Sequence, residues 1–117
     1  MAYVDGYVLA VPKDRMDDYR KMAELGGEVW KEYGALQYVE CFADDTPYGE
    51  LTSFPRAVQA KDDEVVVFSF ITYESREHRD EVNAKVMQDP RLKGSMEDMP
   101  FDGKRMIWGG FKPFLQL

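Results

Sequence analysis

The sequence holds a single cysteine, Cys41, and a single histidine, His78. One cysteine excludes an internal disulfide and any cysteine-built zinc site. One histidine excludes a metal site built on a histidine pair, and no spacing of His, Asp and Glu resembles a ligand set. No metal and no cofactor are therefore expected. Basic residues are scarce as well: 15 Lys and Arg stand against 22 Asp and Glu, a formal charge of −7. Phosphate backbones and anionic lipid attract Lys and Arg, so this balance argues against nucleic-acid and membrane partners. Long apolar runs are absent too. The uncharged stretches Gly6 to Pro12 and Val65 to Tyr73 fall well short of the roughly 18 residues a membrane-crossing helix needs. The N-terminus has no basic leader and carries Asp5 inside its apolar stretch, which is not the pattern of a secretory signal. These features together point to the cytoplasm. No phosphate-cradling glycine loop occurs, since "GG" and "DGK" lack the spacing and context of one.

What remains is ample for a folded core. The 117 residues are 44% hydrophobic and 14% aromatic, and a chain of this length forms one domain, 1–117. Tyr3 to Val11 alternates as a strand, with Tyr3, Asp5, Tyr7, Leu9 and Val11 on one face and the smaller Val4, Gly6, Val8 and Ala10 on the other. From about Asp14 to Tyr33 the period becomes helical, interrupted by Gly26-Gly27, where a bend or a close backbone approach is expected. Ala35 to Ala43 reads as a second strand and Glu64 to Tyr73 as a third. Between them lie about 20 residues, with Ser53 placed to cap a short helical turn through Pro55 to Val58. Ser75 opens a second long helix that Asp89-Pro90 stops. Arg105 to Phe111 forms the last strand. The order β-α-β-β-α-β predicts a ferredoxin-like α+β fold: a four-stranded antiparallel sheet, order 4-1-3-2, with two helices on one face.

The third strand raises a functional question. Phe68 to Tyr73 satisfies the last six positions of the aromatic signature of RNA-recognition domains, which share this fold. Val66 and Val67 replace its basic residue and glycine. If the helices cover the Val8/Val67 face, the other face carries Tyr7, Leu9, Tyr38, Phe42, Val66, Phe68 and Phe70. That patch exceeds what a monomer exposes, and nothing later in the chain is long enough to cover it. A second copy of the sheet would cover it, giving a homodimer whose two sheets close into a barrel.

The segments "YVDGYVLAVP", "VVFSFITYESREHRDEVNAKVMQDPRL" and "MPFDGKRMIWGGFKPF" resemble the YbaA-like proteins, a small bacterial family of unknown function. The resemblance covers nearly the whole chain, and "FDGKRMIWGGF" is its most specific part. It implies the dimeric α+β-barrel superfamily, which holds cofactor-independent oxygenases, haem-degrading enzymes, lactone isomerases and many members without an assigned activity. No catalytic motif of those enzymes aligns here residue by residue.

Candidate chemistry rests on few residues. Asp5 and Glu40 fall on the strand face assigned to the barrel interior, about 10 Å apart across two strand spacings. A carboxylate raised in pKa among aromatic rings can act as a general base. The bland reading places Asp5 near a strand end and Glu40 on an edge strand, both wet. His78, at the inward side of a helix start, is a candidate donor or a packed structural residue. Tyr7, Tyr38, Phe68, Phe70 and Trp108 are candidate ligand contacts. Gly109-Gly110 marks a bulge or a close backbone approach, of a ligand or of another chain. Lys104 and Arg105 stand where they can orient a carboxylate, and the segment 44–63 is either a lid or a shield for the edge of the second strand. The leading functional reading is a homodimer that binds a small apolar or aromatic molecule in the barrel interior. The second is a cofactor-independent monooxygenase- or isomerase-like enzyme with Glu40 or Asp5 as base. The third is an RNA-binding module.

Overall fold

The computed structural model describes residues 2–93 and 98–117. The elements run β1 (Tyr3–Pro12), α1 (Met16–Glu32), β2 (Gln37–Phe42), α2 (Phe54–Ala57), β3 (Glu64–Tyr73), α3 (Arg76–Gln88), α4 (Pro90–Lys93) and β4 (Ile107–Phe111). The strands pair antiparallel in the order β2-β3-β1-β4, which is the ferredoxin-like order expected from the element sequence. The short helix foreseen near Ser53 is α2, and the Ser53 Oγ accepts from the Arg56 amide at 3.1 Å. Among the described residues no helix is long and apolar enough to cross a membrane.

Local chemistry explains both long helices. Acidic Asp17 and Asp18 occupy the first turn of α1, where the helix dipole favours negative charge. The helix buries Tyr19, Ala23, Gly26 and Val29 along one stripe. It ends where the amides of Gly34 and Ala35 bond back to the Lys31 and Trp30 carbonyls, the pairing that terminates many helices. Ser75 caps α3 through the His78 amide at 3.0 Å, and Val82 and Val86 face inward. These stripes pack on the sheet in two clusters. Val29, Val82 and Val86 meet Tyr3, Ile71 and Tyr73, while Tyr19 and Ala23 meet Leu9, Val11 and Val67. Each fully buried valine contributes roughly 1.5–3 kcal/mol.

The register corrects the expected assignment of faces. Val8 lies opposite Phe68 and Leu9 opposite Val67, and residues directly opposite one another share a face. Val8 and Val67 therefore point to opposite sides, and the aromatic patch read from the sequence mixes both. The helices cover the bulky face: Tyr3, Asp5, Tyr7, Leu9 and Val11 of β1, with Val67, Ser69, Ile71 and Tyr73 of β3. Tyr38, Glu40 and Phe42 of β2 share that side through their pairing with Ile71, Ser69 and Val67. Close packing is achieved by small residues on the helix, Ala23, Gly26 and Gly27, rather than on the sheet.

Phe68 and Phe70 lie on the other face with Val4, Gly6 and Val8. Part of that face is covered by the chain itself, contrary to expectation. Val58, at the end of α2, is buried against Val8, Ala10 and Val66, and Phe54 meets Phe68 edge to face. The segment 44–63 thus shields the sheet face. Phe68, Ile107 and Phe111 stay exposed beside it.

Arg105 is committed to the fold. Its guanidinium holds both Glu64 oxygens at 2.7 and 2.8 Å, together with the Gln59 carbonyl and Asp102. The bond to Arg105 holds the Glu64 carboxyl down to about 2, against an ordinary 4.5. A lowered carboxylate stabilises the fold above its ordinary value, and that contribution is lost as pH falls through the folded value. Glu64→Gln is expected to cost about 1–2 kcal/mol at pH 7. The cost should vanish between pH 4.5 and 2, as checked by urea unfolding of both proteins across that range.

Candidate functional site

Glu40 sits near the middle of β2, on the side that faces α1. Its row across the sheet runs through Ser69 to Tyr7 and Trp108. A carboxylate there loses water and needs compensation. Two phenols supply it: Tyr19 of α1 donates to Oε1 at 2.7 Å and Tyr38 of β2 donates to Oε2 at 2.9 Å. Desolvation still dominates, so Glu40 is raised above its ordinary pKa while the two tyrosine bonds pull against it. Burial, then the adjacent Glu40 charge, raises both partner phenols. Tyr7 is pushed up to about 12, by burial first and then by Asp5, with Glu40 adding to it.

The helix comes close enough for this because of Gly26-Gly27. A Cβ at Gly26 would stand 2.9 Å from the Tyr38 hydroxyl, and one at Gly27 would stand 3.0 Å from the Tyr38 ring. The paired glycines thus admit an aromatic ring rather than the backbone approach or bend read from the sequence.

Two hollows meet at this carboxylate. The inner one, about 160 Å³, lies between sheet and helix and is lined by Tyr7, Trp30, Ser69, Ile71 and Met106 among others. The outer one, about 560 Å³, is a groove between α1 and β2 that includes Arg20, Ala23, Gly27 and Phe42. Tyr19, Tyr38 and Glu40 line both. A hollow of about 150 Å³ admits a benzene ring, so the inner one suits a single small ring whose polar end meets Glu40. Each carboxylate oxygen retains acceptor capacity beyond its tyrosine bond.

The other sequence candidates are dispersed. Asp5 shares the helix-facing side but not the hollow. It is fully buried, 3.8 Å from Arg79 Nη1 of α3, and its oxygens make no hydrogen bond among the described residues. Burial raises its pKa and Arg79 draws it back. Asp5 does lie near the start of β1, but it is not wet. Glu40 does lie on an edge strand, but α1 and the two phenols cover it in part. His78 packs edge to face on Tyr73 and accepts the Glu74 amide at Nδ1, 3.0 Å away. Trp108, largely exposed, stacks on Tyr7 with centroids 6.5 Å apart. Phe68 and Phe70 stand on the opposite face from Tyr7 and Tyr38, so the five proposed ligand contacts do not form one site. A Cβ at Gly110 would collide with the Tyr3 hydroxyl. The close approach there is by a side chain of the same molecule. Tyr19 and Trp30 were missed as site residues, although their helical spacing put them on the inward stripe. The signal available was a tyrosine two turns before the paired glycines of that stripe.

Burial of Glu40 has a pH signature. A raised carboxyl favours the protonated fold, so its contribution is complete below the ordinary value of 4.5 and is lost as pH rises through the folded value. Glu40→Gln should therefore gain stability relative to the native protein as pH climbs from 4.5 toward 7, measured by urea midpoints. A gain that runs the other way rules out a raised Glu40.

The comparisons with known proteins agree with this architecture. Residues 2–103 match the family model described as "Protein of unknown function (DUF1428)". The "Uncharacterized protein YbaA" of Escherichia coli K12 is 55% identical over 115 residues, 98% of each chain, and the Shigella flexneri protein of that name matches equally. Among solved structures, Rv0793 of Mycobacterium tuberculosis superposes with a TM-score of 0.62 at 13% identity, over 99% of this chain and 98% of that one. A NIPSNAP family protein with unknown function from Agrobacterium tumefaciens gives 0.57 at 18%, over 96% and 87%. A dimeric ferredoxin-like protein from an uncultured marine organism gives 0.57 at 10%, over the full length of both. These likenesses are in fold. With its strand order, its nearly complete family match and its 55% identical relatives, the chain belongs to the DUF1428 family of YbaA-like ferredoxin-like proteins.

Proposed function

We propose that this protein is a homodimer that binds a small planar molecule carrying a hydrogen-bond donor, seated between the sheet and α1 beside Glu40. The reading keeps the aromatic ligand inferred from the sequence and moves its seat from the barrel interior to the hollow under the helix. The observation that carries it is the Glu40 carboxylate clamped by Tyr19 and Tyr38 on the wall shared by an inner hollow and an outer groove. Apolar walls with one oriented polar group are the ordinary form of a small-molecule site. A ligand hydroxyl or N–H would complete the acceptor capacity of that carboxylate, while an apolar ring of the same shape would leave it short of partners.

The dimer is supported by the open sheet face. Phe54, Phe68, Ile107 and Phe111 are exposed there, and Phe114 and Leu115 follow just beyond β4. At roughly 150–250 Å² for a fully exposed aromatic ring, and with most of these side chains about half exposed, this surface approaches the roughly 800 Å² that one partner contributes to a standard interface. The dimeric ferredoxin-like structure with the same fold points the same way.

A second reading, a cofactor-independent enzyme, is favoured by the upward shift of Glu40. A desolvated carboxylate next to a ring-sized hollow is suited to take a proton from a phenol or an acidic C–H. Tyr19 and Tyr38 would then hold the base in place, and the adjacent Tyr7 would act as donor.

Two measurements test the proposal. Light scattering of the purified protein should give twice the chain mass, and a monomer would remove the dimer from it. Calorimetric titration with 4-cresol and with toluene separates donor recognition from apolar filling. The cresol is expected to bind at least tenfold more tightly, and Glu40→Gln should remove that preference. Equal affinity for the two, or no binding of either, is incompatible with the proposed site.

A further inference from the structure

The exposed face contains a defined apolar hollow of about 230 Å³, lined by Cys41, Ala43, Phe54, Val66 and Phe68 among others. It sits at the corner of the sheet where β2 and β3 meet the segment 44–63. At the diagonally opposite corner β4 ends on Phe111, and the chain continues as Lys112 to Leu117. That tail is apolar and projects freely: Phe114 is 98% exposed and Leu117 fully so. We propose that the tail is a dimerisation strap, and that Phe114 of each copy occupies the Cys41–Phe54–Phe68 hollow of the other. The inference rests on the dimer reading above and adds to it which segment and which pocket make the contact.

Reach excludes the chain's own hollow. Phe111 lies opposite Val4, while the hollow lies in the rows of Val8 and Ala10, opposite Phe68 and Val66. That is four to six residues along the strands, roughly 13–20 Å, and two to three strands across, roughly 10–14 Å. The diagonal is on the order of 20 Å. Phe114 is three residues past Phe111, and three extended residues span about 10 Å. Even with its ring outstretched, Phe114 falls short of the hollow in its own chain.

Symmetry makes a second copy the natural donor. In a two-fold dimer the same patch serves both partners, and contacts are made reciprocally. A two-fold axis lying in the interface, through the midpoint between tail and hollow and perpendicular to the line joining them, exchanges the two in both copies at once. That line runs diagonally over the strands, so the strands of the two sheets cross at a steep angle, in the orthogonal class of sheet packing. The chemistry matches as well. The hollow presents almost no polar surface except the Cys41 thiol and Thr46, and one aromatic side chain is the unit it accommodates.

Cys41 is exposed and is the chain's only thiol, so it serves as a reporter. Phe114→Cys places a second thiol on a side chain that is almost fully exposed among the described residues of its own copy, so folding is not at stake. Mild oxidation should convert this variant to a covalent dimer on a non-reducing gel, whereas native protein stays unlinked and Phe114→Cys/Cys41→Ser fails to link. Phe114→Ala should raise the dimer dissociation constant at least tenfold. Linkage that persists without Cys41 would mean that the two tails meet each other, which overturns the proposal. So would an internal disulfide, or a dimer by light scattering that never crosslinks through Cys41. A native protein that is monomeric by light scattering instead removes the dimer reading on which the strap depends.

Discussion

The pairing of β1 with β3 is the constraint from which the rest of this molecule follows. Their ladder runs without interruption from Tyr3 opposite Tyr73 to Pro12 opposite Glu64. Side chains alternate with a period of two, so sliding one strand by a single residue would send every side chain to the other face. In the observed register Asp5, Tyr7, Ser69 and Tyr73 lie under the helices, and Phe68 and Phe70 lie outside. The separation of a tyrosine-lined hollow holding Glu40 from an open apolar face is a consequence of that one alignment.

The helix-facing side carries an unusual amount of polar chemistry for a core, and its groups are organised in two places. Under α1, Glu40 is balanced by two phenols. Under α3, Arg79 bonds the Tyr3 hydroxyl at 3.1 Å and lies near Asp5. Nearby, the Asn83 carbonyl accepts from Trp30 at 3.1 Å and from Tyr73 at 3.3 Å. Buried networks of this kind define a unique packing when satisfied and are costly where they are not. The Asp5 cluster ties β1, β3 and both helices together behind the hollow, whereas Glu40 opens onto it. Two carboxylates on one sheet face therefore stand in different surroundings, because different helices lie over them.

Much of the architecture was legible in the sequence. The strand and helix periods, the Ser53 and Ser75 caps and the stop at Asp89-Pro90 are local signals, and the structure has elements at those places. The strand order followed from the sequence of elements. Individual strands were trimmed: β2 begins at Gln37 rather than Ala35, and β4 at Ile107 rather than Arg105, since Arg105 is drawn into its pairs with Glu64 and Asp102. Glu40 was recognisable as a carboxylate among aromatic residues, but its partner Tyr19 lies 21 positions away on a helix, and nothing local joins them. Gly26-Gly27 announced a close contact without saying that Tyr38 makes it.

The sequence by itself determined which segments become strands and helices, their order, and the alternation of side chains along each strand, because these depend on spacing within a few residues. It also determined the family, through residues that run along almost the whole chain. Only the tertiary structure decided which of the two strand faces receives the helices. That choice depends on how strands distant in the chain align, and on where the small residues of α1 allow the bulky face of the sheet to fit. For the same reason it alone placed Glu40 at a hollow, Asp5 behind it, and the phenylalanines of β3 on the open side.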